Sequence, residues 1–278
     1  MPAPPHGDKQ EILAAGKALG HHRGMPAFAV EPSTPFPLGR FAGLAGVAGL
    51  VHAVSTRGGP DFCPPTDSPA HAAAARALAA QLDLDAAAWL RQVHGAEVLH
   101  ASGPGLLGEG DGLVTATRGL ALLVRSADCP LILAVAEDAS GRAAAVGVAH
   151  ASWKSSVGGI AGRLVTELAA LSGLPPSRMR AALAPSAGPC CYEVGPEIRD
   201  AAVDAFGAAA EAWFPAPGGR LVFDLWRANA DQLAAAGLPP AQFELAGICT
   251  ICEREHFHSW RRDREAAGRF AGLVGLRG

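Results

Sequence analysis

The chain of 278 residues is 49% apolar and 18% charged, enough to bury a substantial core in one large domain. A net charge of −3 offers no broad positive field for a phosphate backbone, which excludes nucleic-acid binding as the main activity. No apolar run approaches the roughly 18 to 20 residues that span a bilayer, so no membrane association is expected.

Residues 1–38 read as a Pro-rich, weakly ordered N-terminal arm. Pro2, Pro4, Pro5, Pro26, Pro32, Pro35 and Pro37 surround a helix-like stretch, Lys9 to Leu19, and an adjacent His21–His22 pair. The arm lacks the basic start, apolar block and cleavage site of an export signal. The six Cys are therefore expected to stay reduced, in a cytoplasmic protein. Residues 39–278 carry a globular pattern. Ser68 caps an Ala-rich helix reaching about Leu82, with Pro69 at its first position. Trp89 to Ala101 alternates as one strand. Gly103-Pro-Gly-Leu-Leu-Gly108 has the letters of a dinucleotide fingerprint, but Pro104 sits inside the turn and Gly-rich sequence follows where a helix must begin. A plain loop is expected there. Gly119 to Arg125, Leu131 to Ala136 and Ala143 to Ala149 read as buried strands. Ser156 to Leu171 is helix-like, stopped by Gly173, and Met179 to Leu183 returns to strand. Pro196 to Ala210 and Asp224 to Ala236 read as helices, Phe243 to Cys249 and Arg269 to Leu276 as strands. Strands and helices without strict alternation predict an α+β fold with mixed sheets.

Cys249-Thr-Ile-Cys252 is a CxxC with no second pair to complete a zinc site, and charged Glu253-Arg254-Glu255 follows where a redox motif would open a helix. A structural role is expected. The scattered residues say more. His94 lies on the strand read from Trp89, Cys129 at a break between two apolar strands, and His150 at the end of a third. Each stands where a core prefers a hydrophobe. Together they form a Cys-plus-two-His set, a known type of catalytic zinc site with an open fourth position. Spacing does not establish that they converge.

The local wording adds to this. Ser55-Thr-Arg-Gly-Gly59, Gln92-Val-His-Gly95, Ala127-Asp-Cys-Pro130, His150-Ala-Ser-Trp-Lys154, Gly188-Pro-Cys-Cys-Tyr-Glu-Val-Gly195, Phe223-Asp-Leu225, Cys249-Thr250, Phe257-His-Ser-Trp-Arg-Arg262 and Gly268-Arg269 occur in that order. Over roughly residues 41 to 276 this resembles the YfiH family, long labelled multicopper polyphenol oxidases and later recognised as purine nucleoside enzymes. The resemblance implies two mixed β-sheets layered between helices in a single domain. It implies zinc on His94, Cys129 and His150. It implies phosphorolysis of adenosine, inosine and methylthioadenosine, and deamination of adenosine, with purine nucleosides and phosphate as partners.

Within that reading Asp128 is a supporting carboxylate or proton carrier, Glu193 a proton shuttle, and Tyr192 part of the substrate pocket. Arg57 and Lys154 are cations for phosphate. Zinc on three protein ligands makes water nucleophilic near neutral pH. The chain departs from the family where HAGWRG is usual and His150-Ala-Ser-Trp-Lys-Ser155 stands here, so Ser152 and Lys154 bear on substrate preference. Three rivals stand beside this reading. Copper substituting for zinc would give laccase-like activity, yet ten His with one HxH pair and three Met do not supply a full multicopper assembly. A metal-free hydrolase would use Cys129 with His94 or His150 as base. The last rival is a non-catalytic metal-binding protein.

Overall fold

Leu120–Ser126 and Leu131–Glu137 are apolar at nearly every position because each of their faces meets a different layer. In the first strand Leu122 and Val124 join one core cluster while Ala121 and Leu123 join another. In the second, Leu131, Leu133 and Val135 alternate in the same way with Ile132 and Ala134. The computed structural model describes residues 27–278. The stretch Lys9 to Leu19 and the His21–His22 pair lie outside them.

A seven-stranded sheet has the order β1 (Phe28–Glu31), β2 (Leu38–Phe41), β3 (Leu50–Ser55), β13 (Phe270–Leu276), β8 (Leu120–Ser126), β4 (Ala86–Arg91), β6 (Gly105–Glu109). A six-stranded sheet has the order β12 (Phe243–Leu245), β11 (Met179–Leu183), β9 (Leu131–Glu137), β10 (Ala143–His150), β7 (Gly112–Thr115), β5 (Val98–His100). Both are mixed. β4 runs parallel to β8 and β6, and the pairs β5–β7 and β11–β12 are parallel, within otherwise antiparallel sheets. The sheets pack face to face around Val54, Leu122, Leu133, Val146, Phe257, Phe270 and Val274.

The helices are α1 (Ala42–Ala45), α2 (Pro69–Gln81), α3 (Trp153–Val157), α4 (Ile160–Ser172), α5 (Pro196–Phe206), α6 (Leu225–Ala235) and α7 (Trp260–Asp263). Ala75, Leu78 and Ala79 of α2 cover the outer face of the seven-stranded sheet. Leu164, Val165 and Leu168 of α4, with Leu233 of α6, cover the six-stranded one. The result is one α+β domain of two mixed sheets between helices, as the sequence and its resemblance imply. Among the described residues no helix is long and apolar enough to cross a membrane.

The capping residues act as expected. Ser68 Oγ accepts the His71 N–H at 3.1 Å and Asp224 Oδ1 accepts the Arg227 N–H at 3.0 Å. Gly173, at φ 67°, ends α4. Several boundaries move. The single strand read from Trp89 to Ala101 is two strands in different sheets, broken where His94 takes a left-handed φ of 60°. The helix read from Ser156 to Leu171 is two, because Gly159 at φ 81° resets the chain between α3 and α4. Gly105–Glu109 is an edge strand rather than a loop, and no helix follows it. α5 stops at Phe206 and tightens into a 3₁₀ turn, β12 is only three residues long, and β7 escaped the sequence pattern. β1 pairs with β2, so the sheet takes in residues on the N-terminal side of the boundary expected near residue 38.

Candidate active site

The site forms where the chain passes from one sheet to the other. His94 sits on the crossing from β4 to β5, Cys129 on the crossing from β8 to β9, and His150 is the last residue of β10. Register does the rest. β10 pairs with β9 so that His150 lies opposite Leu131, and the Ala151 N–H bonds to the Pro130 carbonyl at 2.8 Å. That places His150 beside Cys129. β10 also pairs with β7, and the His150 N–H bonds to the Asp111 carbonyl at 2.7 Å. One donor atom from each of His94, Cys129 and His150 falls within 4.8 Å of the others. The two imidazoles meet edge to face at 5.1 Å. His94 is exposed, Cys129 half-buried and His150 buried, so the cluster has one open side.

Asp111, which the sequence did not single out, organises this cluster. It is fully buried. Its Oδ1 accepts from His150 Nδ1 at 2.8 Å, while Oδ2 accepts the N–H groups of Val93 at 3.1 Å and Gly95 at 2.7 Å. One carboxylate thus orients one imidazole and pins the backbone on both sides of the other. Burial opposes its charge, but His150 and the two amides hold its carboxyl below the usual range. Burial also opposes a charge on His150. The electrostatic pull and hydrogen bond of the Cys129 sulfur, together with Asp111, outweigh it and push His150 up to about 9. His94 is shifted down by burial and by His150, with Lys154 and Arg269 adding positive field against Asp111.

The remaining predicted residues divide. Asp128 is buried at a φ of 102°, and both its oxygens are engaged: Thr250 Oγ1 donates to Oδ1 at 2.6 Å and the Arg261 N–H to Oδ2 at 2.6 Å. It ties together the loops that border Cys129. Tyr192 lies in the field of Cys129 and Asp128 with the Arg261 guanidinium 4.9 Å over its ring; burial, then Cys129, pushes its phenol above the ordinary value. Glu193 is exposed, and its backbone carbonyl takes the Arg261 guanidinium at 3.1 Å. Lys154 is exposed, its ammonium 5.6 Å over the Trp153 ring. Arg57 donates to the Arg254 carbonyl at 2.8 Å, and its charge is felt by His258 and Asp263. Ser152 is buried and caps α3, accepting the Ser155 N–H at 3.1 Å, with a φ of −59° that needs no glycine. Arg261, Thr250 and Arg269 had stood out only as letters of the family motifs.

A soft thiol and two imidazoles on convergent elements, one imidazole held by a buried carboxylate, are the donor set and support that zinc prefers. These residues fit such an ion. Fold and donor set together define a class: a two-sheet α+β protein with an open-sided His₂Cys site. The chain belongs to the family described as multi-copper polyphenol oxidoreductase laccase, the YfiH family, which it matches over residues 64–277. It is 38% identical over 253 residues to a protein of Deinococcus radiodurans named purine nucleoside phosphorylase, covering 86% of this chain and 93% of that one. It is 36% identical over 165 residues to a protein named adenosine deaminase RL5, from an unknown prokaryotic organism, covering 59% of this chain and 61% of the other. The crystal structure of YlmD from Geobacillus stearothermophilus superposes with a TM-score of 0.74 at 28% identity, over 90% of this chain and 99% of that one.

Proposed function

We propose that the chain is a zinc-dependent purine nucleoside enzyme acting in the cytoplasm. It phosphorolyses adenosine, inosine and methylthioadenosine to free base and (methylthio)ribose 1-phosphate, and deaminates adenosine to inosine. The convergence of His94, Cys129 and His150 on Asp111 carries the reading. These three side chains would hold the ion, which supplies a nucleophilic water near neutral pH when bound. In deamination the water oxygen bonds to purine C6 and ammonia leaves. In phosphorolysis a phosphate oxygen bonds to C1′ and the glycosidic C–N bond breaks, the base leaving with a proton.

The chain's own residues divide this work. Lys154 and Arg57, joined by Arg269, are the cations for phosphate; Lys154 and Arg269 both lie within electrostatic reach of His94. Tyr192, kept protonated by burial, offers a ring and an O–H donor to the purine. With both oxygens of Asp128 already engaged, Glu193 is the group left to carry a proton. Chromatography of adenosine, with and without phosphate, on native and chelator-stripped protein tests the assignment. Adenine formed only with phosphate, inosine formed without it, and loss of both on stripping are the expected results. A stripped sample with full turnover would overturn the metal's role.

One observation favours a second reading. Asp111, His150 and Cys129 form a continuous acid–base–thiol line, the arrangement of a metal-free cysteine nucleophile. Occupancy of this site separates the two. Zinc that is lost in His94→Ala and that shields Cys129 from iodoacetamide supports the nucleoside enzyme, while active protein with no metal on His94, Cys129 and His150, inactivated by alkylation of Cys129, supports the hydrolase.

A further inference from the structure

The second cysteine pair that the CxxC lacks in sequence is supplied in space. Cys190 and Cys191, in the turn before Tyr192, face Cys249 and Cys252, and the four sulfur atoms lie within 4.8 Å of one another. Cys191 Sγ is 3.3 Å and Cys190 Sγ 3.8 Å from Cys252 Sγ. Four thiolates about 2.3 Å from one ion stand about 3.8 Å apart along the edges of a tetrahedron. A disulfide needs about 2.05 Å. The spacing is that of ligands around a shared centre.

The backbone is arranged to present them. The N–H groups of Cys191 and Tyr192 both turn back to the Gly188 carbonyl, each at 3.0 Å, and those of Cys252 and Glu253 to the Cys249 carbonyl at 3.1 and 2.9 Å. Two tight turns thus face each other, joined by a bridge between Ser186 and Cys249. The Gly188 N–H donates to Cys249 Sγ at 3.3 Å, a bond that favours a sulfur carrying negative charge. A Cβ at Gly188 would stand 2.8 Å from the Trp226 ring and 3.2 Å from Cys249 Cβ, so the approach of the two turns depends on glycine. Among the described residues no histidine or carboxylate belongs to this group.

We propose that Cys190, Cys191, Cys249 and Cys252 form a second, structural metal site, closed by four thiolates and selective for a soft ion, zinc first. All four positions of a tetrahedron are filled by protein, so this site binds without catalysing. It locks two loops that border the first site. Thr250, next to Cys249, holds Asp128, while Tyr192 and Glu193, next to Cys191, hold Arg261 through ring and carbonyl. The inference stands apart from the nucleoside reading, since it needs no turnover.

Metal analysis of untagged protein purified without oxygen tests it. About two zinc ions per chain are expected, falling to about one in His94→Ala and to about one in Cys190→Ser/Cys252→Ser. With cobalt in place of zinc, thiolate-to-cobalt charge-transfer absorption should remain strong in His94→Ala and fall in the double variant to what the single Cys129 thiolate gives. Should the double variant fail to fold, wild type alone decides. Zinc-loaded protein should shield Cys190, Cys191, Cys249 and Cys252 from iodoacetamide, and chelation should expose all four. Equal zinc in wild type and the folded double variant would overturn the proposal. So would rapid alkylation of these four thiols in zinc-loaded protein, or a disulfide among them in reduced native protein.

Discussion

Two buried histidines, one at the end of a strand and one in the middle of another, are driven in opposite directions. His150 closes β10 and is raised to about 9; His52 lies within β3 and is lowered to about 3. Burial opposes a charge on both. At His52 it acts with the Arg40 guanidinium, which hydrogen-bonds to the His52 carbonyl, and Nε2 accepts the Phe41 N–H at 2.9 Å. The ring is used as a neutral acceptor that completes the sheet. At His150 the Cys129 sulfur and the Asp111 carboxylate, both hydrogen-bonded to the ring, overcome the burial. A core has no reason to gather them, and a cation is what their grouping accommodates. At these two rings, buried alike, the sign of the shift is set by the partners rather than by the burial.

The largest effect should follow removal of a member of the charged group. His150→Ala or Cys129→Ala is expected to lose the metal of this site and to bring phosphorolysis and deamination together to background, while the four-cysteine site keeps its zinc. Metal analysis beside both assays checks this, and loss of only one activity would mean that the two do not share the ion. Asp111→Asn keeps the shape and removes the charge. Because it weakens the support of one ligand and the backbone of the other, metal affinity or activity should fall about 10- to 100-fold, read by chelator competition. An unchanged affinity would reduce Asp111 to a packing role. Lys154→Ala lies further out, at the exposed rim. It should raise the KM for phosphate about tenfold, the scale of one charge-assisted contact, and leave the kcat of deamination unchanged.

What the sequence could show follows the same division. Runs that alternate between two cores, as in β8 and β9, and caps such as Ser68 and Asp224 announce themselves locally. So do Cys129 and His150, as polar residues where an apolar strand ends, and His94, as a polar residue within the strand read from Trp89 to Ala101. Asp111 does not, because its meaning comes from the pairing of β7 with β10 and from β4 crossing to the opposite sheet before β5. It sits among glycines that look like a plain loop; an acidic residue immediately before an apolar strand was the available signal. The turn at His94 was hidden by its alternating neighbours, since φ sign is not written in side-chain polarity for a non-glycine residue. The four-cysteine cluster was half visible as a CxxC, and its other half is a vicinal pair brought alongside by the bridge of Ser186 to Cys249.

The smallest effect belongs to the scaffold histidine and concerns stability rather than activity. In the folded chain His52 stays neutral until about pH 3, whereas an unfolded histidine takes up its proton near 6.5. Between those values the unfolded state binds the extra proton, so acidification favours unfolding by up to about 1.4 kcal/mol per pH unit from this group. Above 6.5 both states are neutral and the contribution is fully present. His52→Gln keeps an acceptor within reach of the Phe41 amide without titrating. The stability advantage of wild type over this variant, from urea unfolding at a series of pH values, should be constant above 6.5 and shrink steadily as pH falls towards 3. A constant difference across the whole window would mean that His52 takes up its proton in the fold as readily as in the unfolded chain, and that burial and Arg40 do not hold it neutral.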